Sequence, residues 1–460
     1  MEDVKLDPSL EKEISTGMLL KFSLPTVLTY VFMGTFGIVD GVFVSRILGE
    51  YELSAVSLVG PFIMFVLAIG TMFGAGGNAL VAKEIGEGNI QWARQDFTLV
   101  IIMSFLATAI LAIIGGLFPD LVLHILGVDA DVYHLALYYF MPLVVFLPFV
   151  GAGVMFQIFL ITEGKAHLGM IATIIGGSLS IFLNWLLLHR LQWGLEGAAL
   201  STCIGYTIPT IFGLIYFSTN KRRNGLLFFV KPRFKVYVLV RTCLNGMSEM
   251  VIMMASAITG TVMNNLLMDM DGPMAVAAAG IMMAMFGIAA SVFGGYAAGI
   301  SPLISYNYGK RESGRLKKIF SSSLWIVSIM SIGTMVFSWI FTDLFISIFL
   351  RDVWVYIGGF IMLLPVYEMA FNGVRMIGLG YIFMGINMFG SMLYTAFNNA
   401  RESTAISLLR GIVFFMATLT ILPMIMGVNG VWIAMPAADA LTAVFTVFFF
   451  IKFRKKYQYA

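Results

Sequence analysis

The stretch TMFGAGGNALVAKEIGE at Thr71–Glu87 and the stretch GGYAAGISPLISYNYGK at Gly294–Lys310 read as two versions of one segment. They lie 223 residues apart, and the likeness extends upstream to set Ala55–Glu87 against Ala278–Lys310. At this offset Ala75 falls on Ala298, Gly76 on Gly299 and Gly86 on Gly309. Farther out, Gly49 falls on Gly272 and the Phe118/Asp120 pair falls on Phe341/Asp343. Several coincidences at one offset, each at the same place in an apolar segment or its following turn, point to a duplicated unit.

The solvent of this chain is lipid. Hydrophobic residues make up 59% of it and charged residues 12%, against roughly 25% charged in a soluble domain. Runs of about 20 apolar residues are needed to cross a bilayer as a helix. Twelve are placed, at about 17–47, 54–82, 97–118, 134–161, 168–190, 196–217, 238–267, 275–305, 319–348, 374–399, 404–425 and 430–452. The breaks carry charges and turn formers, as in GEGNIQWARQD, LGVDADVYH, DMDGP and YGKRESGRLKK. Residues 352–373, DVWVYIGGFIMLLPVYEMAFNG, are apolar but short and interrupted. They read as an interfacial or re-entrant insert, beyond which the repeat register slips by about ten residues.

The expected fold is an all-α integral membrane protein of two six-helix lobes, 1–220 and 237–460, joined by a basic linker at 221–236. Six spans per lobe give both the same orientation, so they are parallel repeats about an axis along the membrane normal. A duplicated membrane half implies a transporter whose substrate crosses between the halves. Lys and Arg concentrate in the linker, after the eighth span (Lys310, Arg311, Arg315, Lys317, Lys318) and at the C-terminal end (Lys452, Arg454, Lys455, Lys456). The opposite loops hold Asp120, Asp129, Asp131, Asp269 and Asp271, with Arg190 and Arg351 the chief basic residues. Both termini and the linker are therefore expected on the cytoplasmic side of a plasma or bacterial inner membrane. The mixed-sign start MEDVKLDPSLEKEISTG has no apolar core of a cleaved signal peptide. A net charge of +3 gives no case for nucleic acid. Cys203 and Cys243 have no metal-ligand spacing. A monomer in the bilayer is the expected unit.

Ionisable groups within apolar spans are costly there and mark cavities or partners. Asp40 lies toward the outer half of the first span and reads either as an interfacial partner of Arg46 or as a cavity carboxylate. In the cavity, a proton and a cationic substrate can compete for it. Glu249 is placed close to the cytoplasmic end of the seventh span, with Arg241 or Arg410 as candidate partners. Asp439, among the small residues of MPAADALTAV, reads as a cation site or as a buried acid bonded to a neighbouring Ser, Asn or Arg. Glu163 and Lys165 read as a local ion pair at the mouth of the fourth span. Pro25 removes a backbone donor near the start of the first span, where it is either a hinge or a tolerated proline. The 32 Met and 40 Phe mostly serve lipid faces and helix contacts; the rest suit a cavity, since Met repacks around varied guests and aromatic faces attract organic cations.

In order along nearly the whole chain stand IVDGVFVSRILG (Ile38–Gly49), FGAGGNALVAKEIGEG (Phe73–Gly88), GLEGAALST (Gly194–Thr202), NGMSEM (Asn245–Met250), GGYAAGISPLISYNYG (Gly294–Gly309) and ARESTAISLLRG (Ala400–Gly411). This set resembles the multidrug and toxic compound extrusion (MATE) transporters, of a superfamily that also holds lipid and polysaccharide flippases. The resemblance implies a V-shaped bundle and cation coupling by a first-helix Asp, here Asp40. It also implies an Asn–Asp pair, spaced by four on the fifth helix. Here those places fall on Ser180 and Asn184, which share one helix face but cannot titrate. Gln157 and Thr202 are candidates to complete the cluster. Each reads equally as an ordinary interhelical hydrogen-bonding residue.

The expected function is secondary export of organic cations, drugs or dyes, in exchange for H+ or Na+. The two lobes alternate access, and Na+ near Asp40 is the alternative to a proton. No organic cofactor, resident metal or enzymatic activity is expected. No GxxxxGK[ST] phosphate loop occurs for an ATP-driven pump, and His124, His134, His167 and His189 lie apart at span ends. The rival reading is a lipid-linked precursor or glycolipid flippase, which calls for extra spans and a basic cavity.

Overall fold

The computed structural model describes residues 13–349, 354–357, 360–363 and 365–459; the mixed-sign N-terminal start, 1–12, lies outside them. Twelve of its helices are long and apolar enough to cross a membrane. In chain order they are α1 (Thr16–Ile47), α2 (Glu50–Gly86), α3 (Ile90–Leu117), α4 (Tyr133–Thr162), α5 (Ala166–Arg190) and α6 (Gly194–Thr219) in the first half. The second half has α7 (Val236–Gly272), α8 (Met274–Gly309), α9 (Ser313–Ile340), α10 (Pro365–Ala396), α11 (Ala400–Met426) and α12 (Val428–Tyr457). The protein is a multi-pass membrane protein.

Local chemistry sets the ends of these helices. Ser15 caps α1, its hydroxyl accepting from the Met18 amide at 3.2 Å. The α1–α2 and α7–α8 turns each depend on a glycine with positive φ, Gly49 (129°) and Gly272 (71°), a conformation open to glycine at little cost. These two glycines are repeat partners. DMDGP was expected as a loop. Instead α7 and α8 run on with a single non-helical residue at Gly272.

Packing shows the duplication directly. A Cβ on Gly86 would sit 2.1 Å from the Tyr306 carbonyl oxygen, and one on Gly309 would sit 2.1 Å from that of Lys83. At the 223-residue offset Gly86 maps to Gly309 and Lys83 to Tyr306, so the two contacts are the same contact exchanged between halves. Gly76 likewise packs on Gly246, and Gly299 packs on Ser23, the residue that maps to Gly246. Such reciprocity is the signature of a two-fold interface. Small residues let helix backbones approach where lipid supplies no hydrophobic drive.

All these contacts lie at one end of the bundle, the end at which Ile14, Tyr459 and the linker residues Leu226 and Leu227 pack. There a single apolar cluster runs through both halves, from Met72, Phe73 and Leu80 to Tyr296, Leu303 and Phe389. Toward the other end the core divides. One cluster, including Val59, Phe140 and Leu188, belongs to the first half; another, including Met282, Tyr381 and Trp432, belongs to the second. The lobes are sealed at one end and diverge at the other.

The insert differs from expectation. Trp354–Ile357 and Phe360–Leu363 pair antiparallel, Ile357 opposite Phe360, and α10 begins at Pro365, a residue suited to a first helical position. The described residues of the segment form an antiparallel strand pair and the start of α10 rather than a membrane-crossing helix, and the interfacial reading is left standing. Tyr133 donates to Asp120 thirteen residues earlier, and Tyr367 donates to Asp343 twenty-four residues earlier. Eleven extra residues therefore separate the second pair, and the hairpin accounts for the register slip.

The linker is strapped down. Glu163, 6% exposed just past α4, accepts from Asn220 Nδ2 (2.8 Å) and from the Leu226 (3.0 Å) and Leu227 (2.8 Å) amides. Arg94 Nε donates to the Leu226 carbonyl at 2.9 Å, and its guanidinium lies 4.0 Å from the Phe228 ring. Glu163 is thus the anchor of the linker, a larger role than the local ion pair with Lys165 that its sequence position implied.

Candidate functional site

Where the lobes begin to diverge they enclose a cavity of about 320 Å³. Helices of both halves line it. Six methionines face it: Met33, Met64, Met170, Met253, Met388 and Met392. Tyr30 and Tyr206 supply aromatic faces and Glu249 the carboxylate. Among the described lining residues these three are the only ionisable groups.

Glu249 was expected near a helix end. Thirteen residues into α7, at about 1.5 Å per residue, it reaches the cavity wall. Neither of its candidate partners pairs with it. Arg241 Nη1 donates to Tyr237 at 2.7 Å, and Arg410 Nε donates to Asp439 Oδ1 at 2.6 Å. Arg410 still lies close enough to attract Glu249 electrostatically. Glu249 is a cavity acid without a hydrogen bond or ion pair among the described residues.

Asp40 does not line this cavity. It sits deeper in the first lobe, where α1, α5 and α6 meet. Asn184 Nδ2 donates to its Oδ1, and Thr202 Oγ1 donates to its Oδ2 at 2.6 Å. Ser201 in turn donates to Asn184 Oδ1, so both ends of that amide are committed. No ion pair joins Asp40 to Arg46 among the described residues. Tyr139 and Tyr206 both lie within range of the Asp40 charge, and Tyr206 also borders the cavity. Among the described residues it is the side chain shared by the two places. Sequence reasoning missed it, although it follows Thr202 by one helical turn on the same face.

Two expected members of the Asp40 cluster belong elsewhere. Gln157 Nε2 donates to Thr173 Oγ1 at 2.8 Å and borders the central cavity. Ser180 is fully buried against Gly205, its hydroxyl without a partner among the described residues. Spacing by four put Ser180 and Asn184 on one face, but one turn separates the crossing with α6 from the pocket of Asp40.

In the second lobe Asp439 is 4% exposed. Besides Arg410 it accepts from Asn387 Nδ2 at 3.3 Å; Asn387 Oδ1 takes the Thr446 hydroxyl at 2.8 Å. This closed network borders a smaller cavity of about 90 Å³, which joins the central one through Ile252, Ala290 and Met388. Pro25 lies inside a continuous α1, its carbonyl accepting the Thr29 hydroxyl at 2.8 Å. Thr29 faces the cavity, so a change of helix shape at Pro25 would be felt in its wall.

A family model described as MatE matches residues 25–186 and 235–421. A curated relative, the multidrug export protein MepA of Staphylococcus haemolyticus (strain JCSC1435), is 23% identical over 458 residues, 99% of this chain and 97% of the relative. The protein of the same name from Staphylococcus aureus (strain MRSA252) is 23% identical, covering 93% of this chain and 91% of its own. Among solved structures, the outward-facing conformation of a multidrug resistance MATE family transporter of the MOP superfamily superposes with a TM-score of 0.89. It is 18% identical, and the match covers 100% of each chain.

Proposed function

The chain belongs to the MatE family of transporters, and from that premise we propose that it is a secondary exporter of organic cations driven by protons. The observation that carries the proposal is Glu249, an acid without an ion partner among the described residues, in a cavity lined by six methionines, two tyrosines and otherwise uncharged aliphatic, small, amide and hydroxyl-bearing residues. A cavity of this size falls in the range of small-molecule sites. Thioethers repack around guests of different outline, tyrosine faces attract cations, and one carboxylate supplies the charge preference. Multidrug export by the MepA relatives supports the same reading. The flippase alternative calls for a basic cavity, and the ionisable lining here is acidic and phenolic.

Asp40 is assigned the coupling ion, and its donor set favours a proton over Na+. A sodium site in a transporter draws on freed backbone carbonyls of broken helices. Here α1 is helical on both sides of Asp40, and the neighbouring amide presents N–H to the carboxylate. The basic end of the bundle is assigned to the cytoplasm, so the sealed end faces inward and the cavity opens outward. An external proton taken by Asp40 alters the α1–α5–α6 junction. Tyr206 carries that change to the cavity wall, and bound cation is released. The lobes then rock about the two-fold seal, and substrate reloads from the inner side. Exclusion between proton and substrate is a reciprocal coupling.

The test is ethidium efflux from proteoliposomes under an imposed pH or Na+ gradient. The pH gradient alone is expected to drive efflux. Efflux driven by Na+ alone would overturn the proton assignment, and efflux driven by neither would overturn exchange transport.

A further inference from the structure

A second pair of acids lies at the sealed end, outside the cavity and the Asp40 network. Asp96, in the second turn of α3, is 1% exposed, and neither of its carboxyl oxygens has a hydrogen-bond partner among the described residues. It faces Glu84, in the last turn of α2. Glu84 Oε2 is buried and equally without a partner, while the residue as a whole is half-buried and reaches the surface. The charges acting on the pair are few. Lys235 of the linker acts on both acids and holds its ammonium 5.0 Å from the Trp92 ring. Glu87 adds a like charge, itself paired with Lys83 at 3.4 Å. Arg94 is engaged with the Leu226 and Gly225 carbonyls.

Two carboxylates cannot both stay ionised face to face in a buried place without donors. The position adds meaning. Glu84 lies in α2 between Lys83 and Gly86, the two residues whose backbone packs tightly against Gly309 and Tyr306 of α8.

We propose that Glu84 and Asp96 form a proton-binding site at the seal between the lobes, distinct from the coupling acid. One proton is shared between the two carboxyl groups while the seal is closed, the protonated acid donating to the ionised one. Opening the seal admits water to the last turn of α2. The proton then leaves through Glu84 to bulk water, and the two negative charges are solvated beside Lys235. Protons on the linker side therefore favour the sealed state, whichever ion drives transport.

Infrared spectroscopy of the full chain in nanodiscs tests the site. At neutral pH the wild type should show a protonated-carboxyl C=O component that is lost in both Glu84→Gln and Asp96→Asn. That component should persist in Asp40→Asn and Glu249→Gln. Its survival in both Glu84→Gln and Asp96→Asn would overturn the proposal. Should Asp96→Asn fail to fold, Asp96→Glu keeps the test alive, since a shared proton then shifts the component and an unrelated one stays put. Spin labels at Asn89 and Lys317, on opposite lobes at the sealed end, give a second readout. The midpoint of seal opening with pH should move by about one pH unit or more, tenfold in proton concentration, in the Glu84→Gln/Asp96→Asn double variant. Superimposable curves would overturn the coupling to the seal.

Discussion

Asp40 holds its place through two hydrogen bonds from uncharged donors, and each is open to test. Thr202→Val removes the 2.6 Å bond to Oδ2 at nearly constant volume, and a hydrogen bond to a charged group contributes about 1.5–3 kcal/mol. The loss falls on the ionised form of Asp40. The pH midpoint of gradient-driven efflux should therefore move to higher pH in Thr202→Val, with ethidium affinity little changed; an unmoved midpoint would remove Thr202 from the coupling network. Glu163 offers a test of sign. Burial pushes its carboxyl above the usual range, against the pull of the bonds from Asn220, Leu227 and Leu226. A raised folded-state value means stability fully present below the unfolded value of about 4.3 and lost as pH rises through the folded one. The melting temperature of wild type relative to Glu163→Gln should thus fall as pH rises across that window. A relative melting temperature that rises instead would mean the amide bonds outweigh burial.

At the scale of elements, the seal depends on glycine rather than on side-chain fit. A methyl at Gly86 would meet the Tyr306 carbonyl at 2.1 Å, and one at Gly309 would meet that of Lys83 at 2.1 Å. Backbone cannot yield as a flexible side chain does, so either Gly→Ala change should weaken the seal by about 1–3 kcal/mol. Cysteine labelling at the sealed end should rise by a similar factor in Gly86→Ala and Gly309→Ala. A rise in one variant alone would contradict the two-fold account. The elements themselves were largely legible. Apolar runs located twelve spans, and the glycine register located the repeat. The hairpin at Trp354–Leu363 was not, because four-residue apolar runs carry no period that separates strand from helix. VWVYI and FIML around Gly358–Gly359 nevertheless have the composition of a hairpin with a two-residue connection.

For the whole molecule, the sequence located the acids better than their surroundings. The order of motifs set Asp40, Asn184 and Thr202 in one lobe, and the structure joins them by hydrogen bonds. Helix spacing could not tell that Gln157 turns to Thr173 or that Ser180 is spent on the crossing with Gly205. Those outcomes depend on the depth at which helices cross, which a single chain's periodicity does not encode. For the same reason Glu249, whose place along its helix was legible, could not be assigned to the cavity wall rather than to Arg241 or Arg410. The resulting division is the central claim: the scaffold is two-fold, while the first lobe carries the coupling acid and the second lobe's Glu249 meets the substrate.

The most direct measurement is ethidium binding to purified wild type, Asp40→Asn and Glu249→Gln, each paired with efflux under a pH gradient. Glu249→Gln should weaken binding about tenfold or more, about 1.4 kcal/mol. Asp40→Asn should hold affinity within about twofold, well under 1 kcal/mol, and lose gradient-driven efflux. If Asp40→Asn loses binding while Glu249→Gln keeps it, the two acids do not divide the work as proposed.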